Sequence, residues 1–91
     1  MKNVMVQFVS LADYDLVLDD LDGRWCNYRD DGDDNSPTAH AIDRAWNALT
    51  GACASFPCEL ILSLDGDAAE QLVVTFENCA DWNDEFISTA R

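Results

Sequence analysis

The sequence predicts an α+β fold: one small domain over residues 1–91, with a mostly antiparallel sheet in the order β-β-β-α-β-β-α and helices packed on one face. Three observations point there. Several short segments alternate apolar and polar residues with the period of a strand. Glycine and aspartate cluster between them at spacings suited to hairpins. Two other stretches carry apolar residues at helical spacing. With 91 residues, 48% of them apolar, and three Trp, two Tyr and four Phe, the chain can build one core despite a formal charge of −13. Disorder requires low hydrophobicity alongside high charge.

The segment Asn3–Val9 alternates around Val4, Val6 and Phe8 and reads as the first strand. Tyr14–Asp19 alternates more sharply, with Tyr14, Leu16 and Leu18 on one face and Asp13, Asp15, Val17 and Asp19 on the other. A helix over residues 10–21 capped by Ser10 is the rival, and the cleaner period of two favours the strand. A three-residue loop, Leu21-Asp22-Gly23, then pairs Asp20 with Arg24, Leu18 with Cys26 and Leu16 with Tyr28. This register places Asp15, Asp19, Trp25 and Arg29 together on a solvated face. Asp30-Asp31-Gly32-Asp33-Asp34-Asn35 reads as a loop, and Ser36-Pro37 as the cap and first residue of a helix. That helix buries Ala41, Ile42, Ala45, Trp46, Leu49 and Cys53, turns His40, Asp43, Arg44 and Asn47 outward, and ends near Gly51 or runs on toward Ala54. Phe56-Pro57 closes the unit. Glu59–Leu64 and Gln71–Glu77, both apolar-rich, read as a hairpin joined through Asp65-Gly66-Asp67-Ala68-Ala69-Glu70, and Ala80–Thr89 as a closing helix with Trp82 and Phe86 at i and i+4.

Charge is the dominant feature. The acids number 18, of which 14 are Asp, against five Lys and Arg. Nine of the aspartates fall between Asp13 and Asp34, where Arg24 and Arg29 leave a net −7. An acidity this high argues against direct contact with nucleic acid or anionic membrane, whose phosphates require cations. It suits a basic protein surface. Salt adaptation would spread the charge evenly, and generic solubilising charge needs no clustering. Regularly spaced carboxylates instead offer a cationic channel what phosphates would offer, and Trp25 and Tyr28 supply aromatic anchors. The candidate partner-binding residues are therefore Asp13, Asp15, Asp19, Asp20, Asp22, Trp25, Tyr28, Asp30, Asp31, Asp33 and Asp34.

Catalytic and metal signatures are weak. The single imidazole, His40, falls on the polar side of a helix without a nucleophile partner. Asp31-x-Asp33-x-Asn35 matches the start of a calcium loop, yet Ser36 stands where glycine is needed and Ile42 where glutamate is needed. Weak divalent-cation binding by that loop stays open as an alternative. Cys26, Cys53, Cys58 and Cys79 lack zinc-ligand spacing and read as reduced packing thiols. No catalytic residue, cofactor or metal is expected. The N-terminal segment has no apolar signal region, so a cytoplasmic location is expected.

In size, acidity, want of catalytic residues and mixed α/β pattern, the chain resembles the small acidic phage proteins used against host defences, the DNA-mimicking anti-CRISPR proteins foremost. The resemblance spans the chain as a class and carries no residue-specific motif. It implies a non-enzymatic inhibitor in the host-cell cytoplasm, binding the nucleic-acid-binding surface of a Cas complex or other basic protein; the sequence leaves monomer and homodimer both open. A second resemblance is to acidic immunity proteins that neutralise basic nuclease toxins. A salt-adapted or cation-binding housekeeping domain is the third reading.

Overall fold

The computed structural model describes residues 1–52 and 55–91. The elements run β1 (Lys2–Phe8), α1 (Leu11–Asp30), α2 (Pro37–Ala52), β2 (Cys58–Leu64), α3 (Gly66–Trp82) and β3 (Thr89–Ala90). The order β-α-α-β-α-β replaces the expected β-β-β-α-β-β-α. Among the described residues three helices of 20, 16 and 17 residues dominate, so the sheet is the smaller partner. Among the described residues no helix is long and apolar enough to cross a membrane.

The sheet is antiparallel with strand order β2-β1-β3. Val4 faces Leu62, Val6 faces Leu60 and Phe8 faces Cys58, while the short β3 sets Ala90 against Val6 and Thr89 against Gln7. The alternation read in β1 holds: Val4, Val6 and Phe8 are buried, and Asn3, Met5 and Gln7 are exposed. One sheet face is covered by the helices and the other is open, as period two dictates. Phe8 anchors the covered face. Its ring meets those of Tyr14 at 5.3 Å, Phe76 at 5.3 Å and Phe56 at 6.1 Å, within the range of edge and tilted aromatic contacts.

The largest correction concerns residues 11–30, expected as a hairpin and folded as α1. Ser10 caps it, its hydroxyl oxygen accepting from the Asp13 N–H at 3.2 Å. The alternation misled because the inward stripe is not purely apolar. Asp13, Val17 and Leu21 are buried and Arg24 and Tyr28 half-buried, so two charged residues interrupt the helical pattern. Leu16 and Leu18, on opposite flanks, imitate a strand. Cys26 therefore does not pair with Leu18 but sits half-buried on α1. Gly23 is a helix-interior residue, and beyond its own helix backbone and chain neighbours nothing lies within 4 Å of where a Cβ would be. Alanine there is expected to raise stability by about 0.5–1 kcal/mol, since glycine carries excess backbone entropy in a helix; a urea melt with a higher midpoint is the readout.

The second correction is α3. The expected strand Gln71–Glu77 and helix Ala80–Thr89 are replaced by one helix ending at Trp82. Asp65 caps it, accepting from the Ala68 N–H at 2.9 Å, so Asp65-Gly66 starts a helix rather than turning a hairpin. Ala68, Ala69, Leu72, Thr75, Phe76 and Cys79 form its buried stripe at spacings of three and four. The run Leu72-Val73-Val74 carried the strand signal, and packing overrode that propensity. Trp82 and Phe86 do not share a helix: Trp82 is 89% exposed and Phe86 lies in the core at 6%.

The helix at Pro37 starts as expected, with the Ser36 hydroxyl oxygen accepting from the Ala39 N–H at 3.1 Å. It passes through Gly51 to Ala52. The expected burial of Cys53 and any continuation toward Ala54 fall outside the described residues.

Candidate functional site

The acid-rich segment is a helix followed by a six-residue loop, and helix geometry sorts its carboxylates. Positions 15, 19, 22 and 30 fall on one solvated side of α1, and all four aspartates are exposed. At about 1.5 Å rise per residue, Asp15 to Asp30 extends roughly 22 Å along the axis, with roughly 6 Å between the levels of Asp15 and Asp19. Asp31, Asp33 and Asp34 continue the acidic surface into the loop, all exposed. Gly32 directs that loop. It takes a φ of 79°, its N–H donates to the Arg29 carbonyl at 3.0 Å, and the Asp33 N–H donates to the Tyr28 carbonyl at 2.7 Å. This is the glycine-centred helix stop in which the left-handed residue returns the chain across the last turn.

Two of the candidate carboxylates turn inward instead. Asp13 is buried, accepting from the Ser88 hydroxyl at 2.6 Å and the Ile87 N–H at 3.4 Å, while the Ser88 oxygen accepts from the Val9 N–H at 3.0 Å. Asp20 accepts from Arg24 Nε at 3.1 Å and from the Thr75 hydroxyl at 2.8 Å. The Arg24 guanidinium continues to the side chain and carbonyl of Gln71 and to Thr75. These two aspartates join α1 to the 87–88 segment and to α3. Trp25 and Tyr28 are half-buried and pack against the core, so neither stands free on the surface.

The cations lie so that they leave the outer face of α1 negative. Arg24 is held inward. Arg44 grips Asp65 through two contacts, at 2.6 and 3.1 Å. Lys2 and Arg91 line a separate cleft with Glu70 and Glu77 where β1 meets α3. Among the described residues Arg29 alone is ion-paired on the acidic surface, 3.4 Å from Asp30 and with its guanidinium carbon 5.5 Å from the Trp25 ring centroid. Among the described residues, the carboxylates of Asp15, Asp19, Asp31, Asp33 and Asp34 make no hydrogen bond or ion pair.

The Arg44 hydrogen bond, then the Ala68 N–H, hold the Asp65 carboxyl at about 2, below the usual 3.8. A depressed folded-state pKa gives stability that is full above the unfolded value and is lost as pH falls toward the folded one. The difference in melting temperature between the parent and Asp65→Asn is therefore expected to be largest near neutrality and to close between about pH 4 and pH 2. Burial, with Asp20 nearby, pushes the Cys79 thiol up to about 11, which keeps it protonated and inert at neutral pH. Among the described residues no group of three or more His, Cys, Asp or Glu side chains is placed to hold a metal ion.

Sequence reasoning missed one feature. A cleft of about 240 Å³ opens between α1 and α2, lined by Leu21, Asp22 and Trp25 from one helix and Ile42, Asp43 and Trp46 from the other. Each helix contributes the same local pattern: an aliphatic residue, an aspartate, two intervening residues and a tryptophan. The signal was legible as Leu21-Asp22-x-x-Trp25 and Ile42-Asp43-x-x-Trp46. Assigning Trp25 to a strand face hid it, because the spacing places these side chains together only on helices. Comparison with protein-family models, curated proteins and solved structures returned no match.

Proposed function

We propose that the protein is a non-enzymatic acidic inhibitor that occupies the cationic nucleic-acid-binding surface of another protein, in the manner of a DNA-mimicking inhibitor of a bacterial defence complex. The observation that carries this reading is the outer face of α1, where Asp15, Asp19, Asp22 and Asp30 run into Asp31, Asp33 and Asp34 with few cations nearby. Such a face carries its charges in a row on a folded support, more sparsely than a phosphate backbone but with the same sign. It would steer a basic partner into encounter and pair with the Lys and Arg that grip phosphate. Asp30 and Asp31 also lie at the C-terminal end of α1, where the helix dipole opposes negative charge. Acid kept at a position where it weakens the helix fits a role in binding better than a role in folding.

The test is affinity capture from a CRISPR-containing bacterial lysate with this protein as bait, at about 0.1 M and about 1 M salt, where screening lengths are about 10 and 3 Å. The expected result is a Cas complex that is retained at low salt, released at high salt and displaced by its target DNA. Recovery of a nuclease toxin moves the protein to the immunity class. Recovery of no basic protein under either condition refutes the reading and leaves the aspartates as solubilising charge.

A further inference from the structure

We infer that the cleft between α1 and α2 is an arginine pocket, in which the guanidinium of a basic partner rests against the indoles of Trp25 and Trp46 and donates to the carboxylates of Asp22 and Asp43. The inference deepens the reading of the chain as a ligand for a basic surface and rests on it for the source of the arginine. Three observations select the occupant. The floor, Leu21 and Ile42, is buried and apolar, which suits the aliphatic stem of a long side chain. The walls are two half-buried indoles, the best aromatic partners for a cation, and the rim carries two exposed carboxylates. The volume, about 240 Å³, lies below the ~300–1,000 Å³ of pockets that take whole small molecules, and so suits one side chain.

Arginine is favoured over lysine on chemical grounds. A guanidinium is planar and weakly hydrated, so it stacks on an indole while its edge donates to carboxylates, whereas an ammonium is a compact and strongly hydrated charge. The protein already holds one such contact within itself, with Arg29 over Trp25. The pocket also adjoins the acidic face, since Asp22 belongs to both. A partner arginine seated there would fix the register of the whole acidic face, in the way a buried anchor fixes an interface with a charged rim.

The test needs no partner protein. Isotope-labelled protein is titrated at low ionic strength with N-acetyl-arginine amide, and the indole N–H resonances are followed; Trp82, exposed and away from the cleft, is the internal reference. The expected result is a saturable shift of the Trp25 and Trp46 signals, with a Kd on the order of millimolar and Trp82 unmoved. The capped lysine is expected to bind more weakly, the neutral capped citrulline at least about tenfold more weakly, and Asp22→Asn/Asp43→Asn to lose about tenfold in arginine affinity with an otherwise native spectrum. Equal binding of citrulline and arginine, equal shifts at all three tryptophans, or no saturable shift overturns the pocket. Its loss with salt-sensitive capture intact would leave the acidic-face reading standing, and arginine binding without any captured partner would separate the two in the other direction.

Discussion

Replacing Asp15 and Asp19 with lysine is expected to remove binding to a basic partner while leaving the melting temperature at or above that of the parent. Both side chains are exposed on α1 and make no hydrogen bond or ion pair among the described residues, so neither contributes a contact that folding would miss. Each reversal adds two charges, taking the formal charge from −13 to −9. That relieves self-repulsion, and lysine is also the better helix former. At an interface the same change has the opposite sign. Close charge pairs couple by roughly 1.5 kcal/mol or more each, so losing two weakens binding by about 100-fold before the new repulsion is counted. A thermal melt beside calorimetric titration with the captured partner separates the two effects. Unchanged affinity in a folded variant would remove the outer face of α1 from the interface.

Arg24→Ala is expected to have the opposite profile: a stability loss of about 2–3 kcal/mol with the acidic surface left in place. Arg24 and Asp20 are little exposed, at 23% and 22% of their side chains. The guanidinium donates to Asp20, to the Gln71 side chain and carbonyl, and to Thr75, which is itself fully buried. Truncation leaves those acceptors short of a donor and Asp20 without its counter-charge, and the cost of such orphaned groups exceeds the net value of the bonds. Arg24→Lys is expected to recover only part of the loss, because an ammonium cannot span a carboxylate and three acceptors on α3 at once. Asp20→Asn measured singly and with Arg24→Ala should give a coupling of at least about 0.5 kcal/mol, as side chains in one network do. Additive losses would show that Arg24 and Asp20 act separately.

The same residues divide what the sequence makes legible from what only packing decides. The strand Lys2–Phe8 was legible because it alternates cleanly and only one sheet face is covered, and Cys58–Leu64 because it is a short apolar-rich run bounded by Pro57 and Asp65-Gly66. The helix from Pro37 was legible because Ser36-Pro37 and an apolar stripe agree. α1 was not, because its buried face includes Asp13 and Arg24. A pattern that treats charged residues as solvated cannot assign them inward, although Ser10 stood correctly placed as a cap. α3 was misread where Val73-Val74 and Asp65-Gly66 imitated a strand and a turn. Composition pointed to the acidic segment itself, but not to which carboxylates face water. On a helix Asp13 and Asp20 part from Asp15 and Asp19, and the two tryptophans of the cleft come together.

The stop at Gly32 and the bond between Asp13 and Ser88 have a shared consequence. They hold α1 at its two ends, one at the loop and the other at the 87–88 segment. An acidic tail of the same charge would have to surrender backbone freedom on meeting its partner, at roughly 1–2 kcal/mol for each residue ordered. Here that freedom is already gone when the chain folds, so only surface rotamers remain to be fixed on contact. Charge spacing becomes a property of the scaffold, and selectivity among basic surfaces then depends on how well their cations match a fixed ruler.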